Sequence, residues 1–536
     1  MSAVTPQIEG ISREERTPTS LPNLDRESAF TVKSQSLSAE EQEFVLKRKQ
    51  VVLKSLNSLG IECTMESVPH IAVLGSGGGQ RAAVGLLGSL YQMEKEGLLD
   101  TLLYLGGVSA SAWSMSTLYS DPEWSSNMDR AVSRLSGPSV MLEQALTWLD
   151  KRAKDEHFSL TDIWGVLTSA GIMKQVCFKH ADCLCLSVFG TAKWFEITPH
   201  EAGFTDLGLF INTSHLGSRI HEAEPDGKGP EMDMVKLQGI VGSAIADEGS
   251  LVNSIPDWLK DLVGVAAADE NNLLDRMFLR TEVPHQVNSF LDFLDSYMRM
   301  NNGLLKLTEL IKKNTEDPAV WSGVDNLQKT LRASSLIQKV FPLIWKWEWR
   351  TTENFLYNYS SAVVPPCVSH KEHLQLIDAG LMLNLPYPPF LGGKRDADLL
   401  IALDYGSDEA FKTLTNARDY AAAVKKPFPE IDNKILEERD WPKDCYVFEG
   451  KEKEPTIVYM PLFNRHNCKD AQKVKEKMEE FYTFQLPFSQ DKIELVLETA
   501  KANVKNNKET LLREIYKAAL RRHKRYYSTS STKHGL

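Results

Sequence analysis

The chain has 536 residues, with 61 Lys and Arg against 72 Asp and Glu, a formal charge of −11, and 42% hydrophobic and 25% charged residues. That balance excludes disordered and fibrous classes, and the acidic surplus argues against a surface built to neutralise phosphate backbones, so nucleic acid is not an expected partner. Seven cysteines, an odd and sparse set, read as reduced intracellular thiols, and Cys183 and Cys185 as buried small residues without the cluster a structural zinc needs.

The first 37 residues mix Ser, Thr, Pro, Glu and Arg without hydrophobic period and read as a flexible leader. From Ser38 the pattern changes. Ser38 with Glu41 forms a capping-box signal, and Phe44, Val45, Val51, Val52, Leu53, Leu56 and Leu59 continue at helical spacing to Gly60. His70 to Leu74 is a short β-rich run that stops at Gly75-Ser-Gly-Gly-Gly79, and a helical segment follows over Arg81 to Glu96. The unit repeats with Thr101 to Leu105 as strand, Gly106 to Ser111 as turn and a helix to Tyr119. A helix-prone stretch over roughly 250–340 reads as a cap inserted into the fold. Further strands are expected at Leu374 to Ile377, ending at Asp378-Ala-Gly380, and at Leu399 to Leu403 before Asp404. Strands alternating with helices predict an α/β fold with a central, mainly parallel sheet flanked by helices. Length alone would allow three or four domains at about 150 residues each; the reading adopted is a single catalytic domain over 38–525 and a flexible tail over 526–536.

The start of the chain lacks the apolar core of a signal peptide, no stretch reaches the 18 apolar residues of a membrane span, and neither myristoylation nor prenylation patterns occur. The expected location is cytoplasmic, with any membrane contact peripheral.

Two glycine-rich turns carry the chemistry. Gly75-Ser-Gly-Gly-Gly79 is not a dinucleotide fingerprint, because Gln80 stands where the last glycine belongs. Three glycines between a strand and a helix leave bare N–H groups that can hold an oxyanion, or form a plain tight turn. Gly107-Val-Ser109-Ala-Ser111 matches the nucleophile elbow, where residues two before and two after the nucleophile must be small. On local sequence alone Ser109 reads as a helix N-cap before it reads as a nucleophile. His466 and His523 follow Asp378 in the order of a hydrolase triad, but both lie in polar or basic surroundings. A desolvated carboxylate can take a serine proton directly, and Asp378 at a strand end suits that role, or simply opens a turn.

Taken in order, these segments resemble the group IV cytosolic phospholipases A2, in particular the gamma-like members without a calcium-binding C2 domain. The resemblance covers Ser38 to Arg525 and rests on Gly75-Ser-Gly-Gly-Gly-Gln-Arg81, Gly107-Val-Ser-Ala-Ser-Ala-Trp113, Trp194-Phe-Glu-Ile-Thr-Pro-His200 with Gly203-Phe204, Gly217-Ser218, Gly242-Ser-Ala244, Trp347-Glu-Trp349, Asn354-Phe-Leu-Tyr357 and Asp378-Ala-Gly-Leu381. It implies a patatin-like α/β core with a Ser-Asp dyad: Ser109 as nucleophile, Asp378 as base, Gly78 and Gly79 as oxyanion-hole amides, and Arg81 on the substrate phosphate. The implied activity is a phospholipase A2 and lysophospholipase acting on glycerophospholipid through an acyl-serine, with no cofactor and no metal. A lysophospholipid transacylase uses the same dyad, and a silent lipid-binding protein is the alternative of another class. Calcium independence is expected because only about 37 residues precede the catalytic region. Ala110, Gln80 and Arg350 depart from the family pattern. Near the end of the sequence, Lys501 to Arg525 holds nine basic residues and two acids; Arg521, Arg522, Lys524 and Arg525 are the expected contacts to anionic membrane, or the solvated face of a core-docking helix.

Overall fold

The computed structural model describes residues 31–32, 36–137, 142–154, 158–174, 185–189, 193–217, 233–243, 352–359, 364–374, 376–485 and 487–533. The cap expected at 250–340, together with Ser218, Ala244, Trp347 to Trp349 and Arg350, lies outside the described residues.

An eleven-stranded sheet organises the chain. Its centre is five parallel strands in the order β4 (Cys185–Phe189), β3 (Tyr104–Val108), β2 (Ile71–Gly75), β11 (Leu399–Asp404) and β13 (Thr456–Pro461). The described residues of β2, β3 and β13 are buried throughout, as expected for strands covered on both faces. Antiparallel strands extend this centre on either side. β5 (Lys193–Ile197), β6 (Glu201–Phe204), β7 (Leu209–Asn212) and β1 (Thr31–Val32) follow beyond β4, and β12 (Tyr446–Phe448) closes the far edge. A separate pair, β8 (Thr352–Glu353) and β9 (His373–Leu374), leads into β10 (Leu376–Asp378), which lies antiparallel on β4.

Helix α1 (Ala39–Ser58) begins where the capping box places it, with Ser38 Oγ accepting from the Glu41 amide at 3.1 Å. Its inner face is narrower than the apolar pattern suggests: Val45, Val52 and Leu56 are buried, while Phe44 and Val51 are exposed. Helices α2 (Gln80–Lys95) and α3 (Ala110–Tyr119) follow the two glycine turns. The second strand starts three residues later than the apolar run predicts and takes in Gly106 and Gly107. Packing accounts for the shift: a Cβ on Gly106 would lie 2.9 Å from the Phe390 ring, and one on Gly107 2.6 Å from the Met115 sulfur.

Two boundaries change at the ends. Residues 31–32 of the expected leader form β1 against β7, and the last helix runs on through the expected tail to Lys533. The segment over 501–525 is in fact spread over two helices, α4 (Gln490–Asn506), packed along α2, and α5 (Lys508–Lys533). Leu511, Ile515, Ala518 and Ala519 of α5 are buried against the fold. Three of the four basic residues assigned to a membrane turn inward. Arg522 meets Asp398 at 2.5 Å and Asp396 at 2.9 Å, Arg525 pairs with the same two aspartates, and Arg521 donates to the carbonyls of Gly450 and Asp398 at 3.0 and 2.7 Å. Two carboxylates just ahead of β11 draw these guanidinium groups in, so the basic run is chiefly an internal clamp, and Lys524 is exposed. No helix among the described residues is long and apolar enough to cross a membrane.

Candidate active site

The parallel register brings three loops to one end of the sheet. Gly75 pairs with Gly107 on one side and with Leu403 on the other, so the chain leaves β2, β3 and β11 at the same level. Crevices outside the carboxyl ends of parallel strands are where α/β folds bind ligands.

Ser109 follows β3 with φ 54° and ψ −128°, a backbone region that side-chain-bearing residues avoid at a cost of about 1–3 kcal/mol. This is the strand-to-helix elbow that lifts a nucleophile above a sheet. Although Ser109 occupies the N-cap position of α3, its side chain makes no capping bond, so the capping role open on local sequence is not the one it fills. Ser111, two positions on, donates to the Ser76 carbonyl at 2.6 Å, and Ala110 is fully buried. The elbow therefore tolerates both departures from a glycine.

The glycine turn ahead of α2 is hemmed in on three sides, which explains why no side chain fits there. A Cβ on Gly77 would lie 2.4 Å from Asn384 Oδ1 and 2.8 Å from Ser109 Cβ. One on Gly78 (φ 151°) would lie 2.3 Å from the Tyr405 carbonyl oxygen, and one on Gly79 (φ 60°) 2.3 Å from that of Thr483. The first amide of the turn, from Gly77, donates to Asn384 Oδ1 at 3.0 Å. Those of Gly78 and Gly79 donate to no other group among the described residues, and they stand at the N-terminus of α2, where the helix dipole favours negative charge.

Asp378 ends β10 and is fully buried. Its Oδ1 accepts from the Gly380 amide at 2.8 Å, so it does open a turn, and its own amide donates to Ser243 Oγ at 3.2 Å. That bond explains why Gly242-Ser243 belongs with the other signatures. The register sets Asp378 opposite Ser187 on β4, while Val108 lies opposite Leu186. Because β5 takes the whole of the other edge of β4, β3 and β10 share this one and meet end to end, so the chain reaches Ser109 and Asp378 from neighbouring register positions of β4. His466 and His523 are both exposed on the surface.

Arg81, expected on a substrate phosphate, lies among protein acceptors. Its side chain is fully buried, donating to the carbonyls of Tyr405 (2.8 Å) and Phe481 and to Thr483 Oγ1 at 3.3 Å. Burial pulls its pKa down to about 10, with Asp404 opposing the shift, so it stays charged at neutral pH. With these donors committed, it holds the 405 loop and the 481–483 segment against the glycine turn. Gln80 works beside it: the side chain is buried and accepts from the Phe488 amide at 2.6 Å. Sequence reasoning missed Asn384, although an asparagine set in the apolar run Leu381 to Leu385 is the signal that marks it.

An elbow serine, a buried carboxylate and two unengaged amides at a helix N-terminus, set at the end of a parallel sheet, are the kinds of group that acyl-transfer chemistry on an α/β fold requires. No protein-family profile matches the chain. Individual relatives do. Human cytosolic phospholipase A2 gamma is 30% identical, with 90% of this chain and 95% of that protein covered, and the mouse protein of the same name is 29% identical over 90% and 92%. The solved structure of human group IVD cytosolic phospholipase A2 shares the fold with a TM-score of 0.63 at 20% identity, covering 92% of this chain and 66% of that one. The chain belongs to the group IV cytosolic phospholipase A2 family, a family of hydrolases acting on phospholipid esters.

Proposed function

We propose that the protein is a phospholipase A2 and lysophospholipase that cleaves fatty-acyl esters of glycerophospholipids through an acyl-serine on Ser109. The observation that carries this reading is the strained, uncapped elbow at Ser109, neighbouring Asp378 in register along one edge of β4 and lying against Gly77 of the glycine turn. Asp378 takes the hydroxyl proton as Ser109 Oγ attacks the ester carbonyl, and the two amides receive the oxyanion. Collapse expels the glycerol oxygen, which takes the proton back from Asp378. Water then attacks the acyl-serine, Asp378 accepting its proton and passing it to Ser109 Oγ as the acyl–oxygen bond breaks, and fatty acid leaves. Arg81 enters as the clamp that fixes the glycine turn, since each of its three nitrogens donates to a protein acceptor.

Nucleophile, base and oxyanion donors in this scheme are all protein groups, which supports calcium-independent chemistry at the reacting atoms. A substrate that resides in lipid implies a peripheral association of the cytoplasmic protein with membranes. The test is covalent labelling by a fluorophosphonate: wild type is labelled and Ser109→Ala is not. Asp378→Asn is expected to lose roughly 10³-fold in turnover, within the range for a general base. Folded wild type that takes no label, or an Asp378→Asn enzyme of near-normal turnover, sinks the dyad.

A further inference from the structure

The polar side chain of Asn384 ties together the turns that follow three different strands. Its Oδ1 accepts from the Gly77 amide at 3.0 Å and its Nδ2 donates to the Gly77 carbonyl at 3.3 Å, so one side-chain amide grips both backbone groups of one residue. The same group borders the base. A Cβ on Gly380 would lie 3.0 Å from Asn384 Oδ1 and 3.1 Å from Asp378 Oδ1. It also borders the loop after β11, where a Cβ on Gly406 would lie 2.9 Å from Nδ2.

This placement has a chemical consequence. By engaging the first amide of the glycine turn, Asn384 leaves the next two, from Gly78 and Gly79, as the donors at the helix N-terminus. By packing on the Asp378 turn at the same time, it fixes where those donors stand relative to the base. An asparagine does this without charge. An aspartate in its place would set a second carboxylate beside Asp378 and hold that base in its protonated form to higher pH.

We propose that Asn384 is a positioning residue for the acyl-transfer step, holding the oxyanion turn in register with the Asp378 turn. The inference rests on Ser109 and Asp378 acting as the dyad. Its effect belongs in kcat, because a misplacement of the order of 1 Å in reacting groups costs roughly 10²-fold in rate while the acyl and head-group contacts that set KM are untouched.

The experiment measures fluorophosphonate labelling rate, and kcat and KM across pH on a soluble monomeric ester, in wild type, Asn384→Ala and Asn384→Asp. Asn384→Ala is expected to lose about 10- to 100-fold in labelling rate and kcat with KM nearly unchanged. Asn384→Asp keeps an acceptor for the Gly77 amide and is expected to move the acidic limb of kcat/KM to higher pH, a displacement that Asn384→Ala, adding no charge, does not produce. Asn384→Ala turning over within twofold of wild type, or an Asn384→Asp profile with its acidic limb in place, overturns the proposal. If the alanine variant does not fold, the limb of the aspartate variant decides. Wild type that takes no label overturns the dyad, and this inference with it; a labelled wild type with indifferent Asn384 variants overturns the inference alone.

Discussion

Substituting Gly78 by alanine tests the oxyanion turn most directly. The new methyl would stand 2.3 Å from the Tyr405 carbonyl oxygen and 3.2 Å from Arg81 Nη2, at a φ of 151° that alanine avoids. Neither neighbour can yield cheaply: the Tyr405 peptide is fixed by its amide donating to Ser76 Oγ at 2.7 Å, and its carbonyl accepts from Arg81 Nε at 2.8 Å. The turn must therefore move, carrying the Gly78 amide away from the developing oxyanion. Loss of one oxyanion donor costs about 10²–10³ in kcat, or roughly 3–4 kcal/mol in the barrier. Backbone strain adds on the order of 1–3 kcal/mol in stability. Gly60→Ala separates the two effects, since Gly60 has a φ of 76° with nothing within 4 Å of the added carbon; it should lower the melting temperature and spare turnover. The assay is kcat on a soluble ester beside thermal unfolding. A Gly78→Ala enzyme that keeps kcat within threefold of wild type refutes the assignment of this turn as the oxyanion site.

Three further outcomes follow from the structure. Arg395 is fully buried and bonds Glu41 of α1 at 2.8 Å, Glu196 of β5 at 2.9 Å and the Pro389 carbonyl at 3.1 Å, so Arg395→Met, which strands two buried carboxylates, should lower stability by roughly 3–5 kcal/mol in denaturant titration. Burial works against charge on Glu196, but Arg395 and Lys394 outweigh it and bring its pKa from 4.5 to about 2; its stabilising contribution is therefore complete above the ordinary carboxylate range and lost as pH falls toward 2, a dependence that Arg395→Met should flatten. Arg522→Gln should lower the melting temperature by removing one of the two guanidinium groups that pair with Asp396 and Asp398 while leaving binding to anionic vesicles unchanged per folded molecule; a loss of vesicle binding at wild-type stability would return this arginine to the membrane. Chelation of calcium should leave turnover of a soluble monomeric ester unaltered, and a drop restored by added calcium would refute the metal-free scheme.

How much of this was legible in the sequence depends on the range of the interactions involved. The turn at Gly75 to Gly79, the elbow at Ser109 and the Ser38 cap are written within a few residues, because small side chains and a capping hydroxyl act on their own backbone. The second strand starts three residues later than its local pattern indicates because Gly106 and Gly107 read locally as turn, whereas Phe390 and Met115, brought in by the tertiary fold, require glycine inside a strand. The arginines of α5 read locally as a surface because Asp396 and Asp398, more than a hundred positions earlier, leave no mark on the local pattern. Arg81 is the same case with a sharper consequence. A guanidinium near a nucleophile reads as a phosphate ligand, and the carbonyls of Tyr405 and Phe481 that it bonds lie 324 and 400 positions away. Asn384 joins these two kinds of information: an isolated amide in an apolar run is visible as an anomaly, but its purpose depends on the sheet order that sets β10 beside β4 and β2 beside β11. Once that order is fixed, the amide that bonds Gly77 necessarily touches the turn of Asp378 as well, so the geometry of donors and base is set by a single side chain.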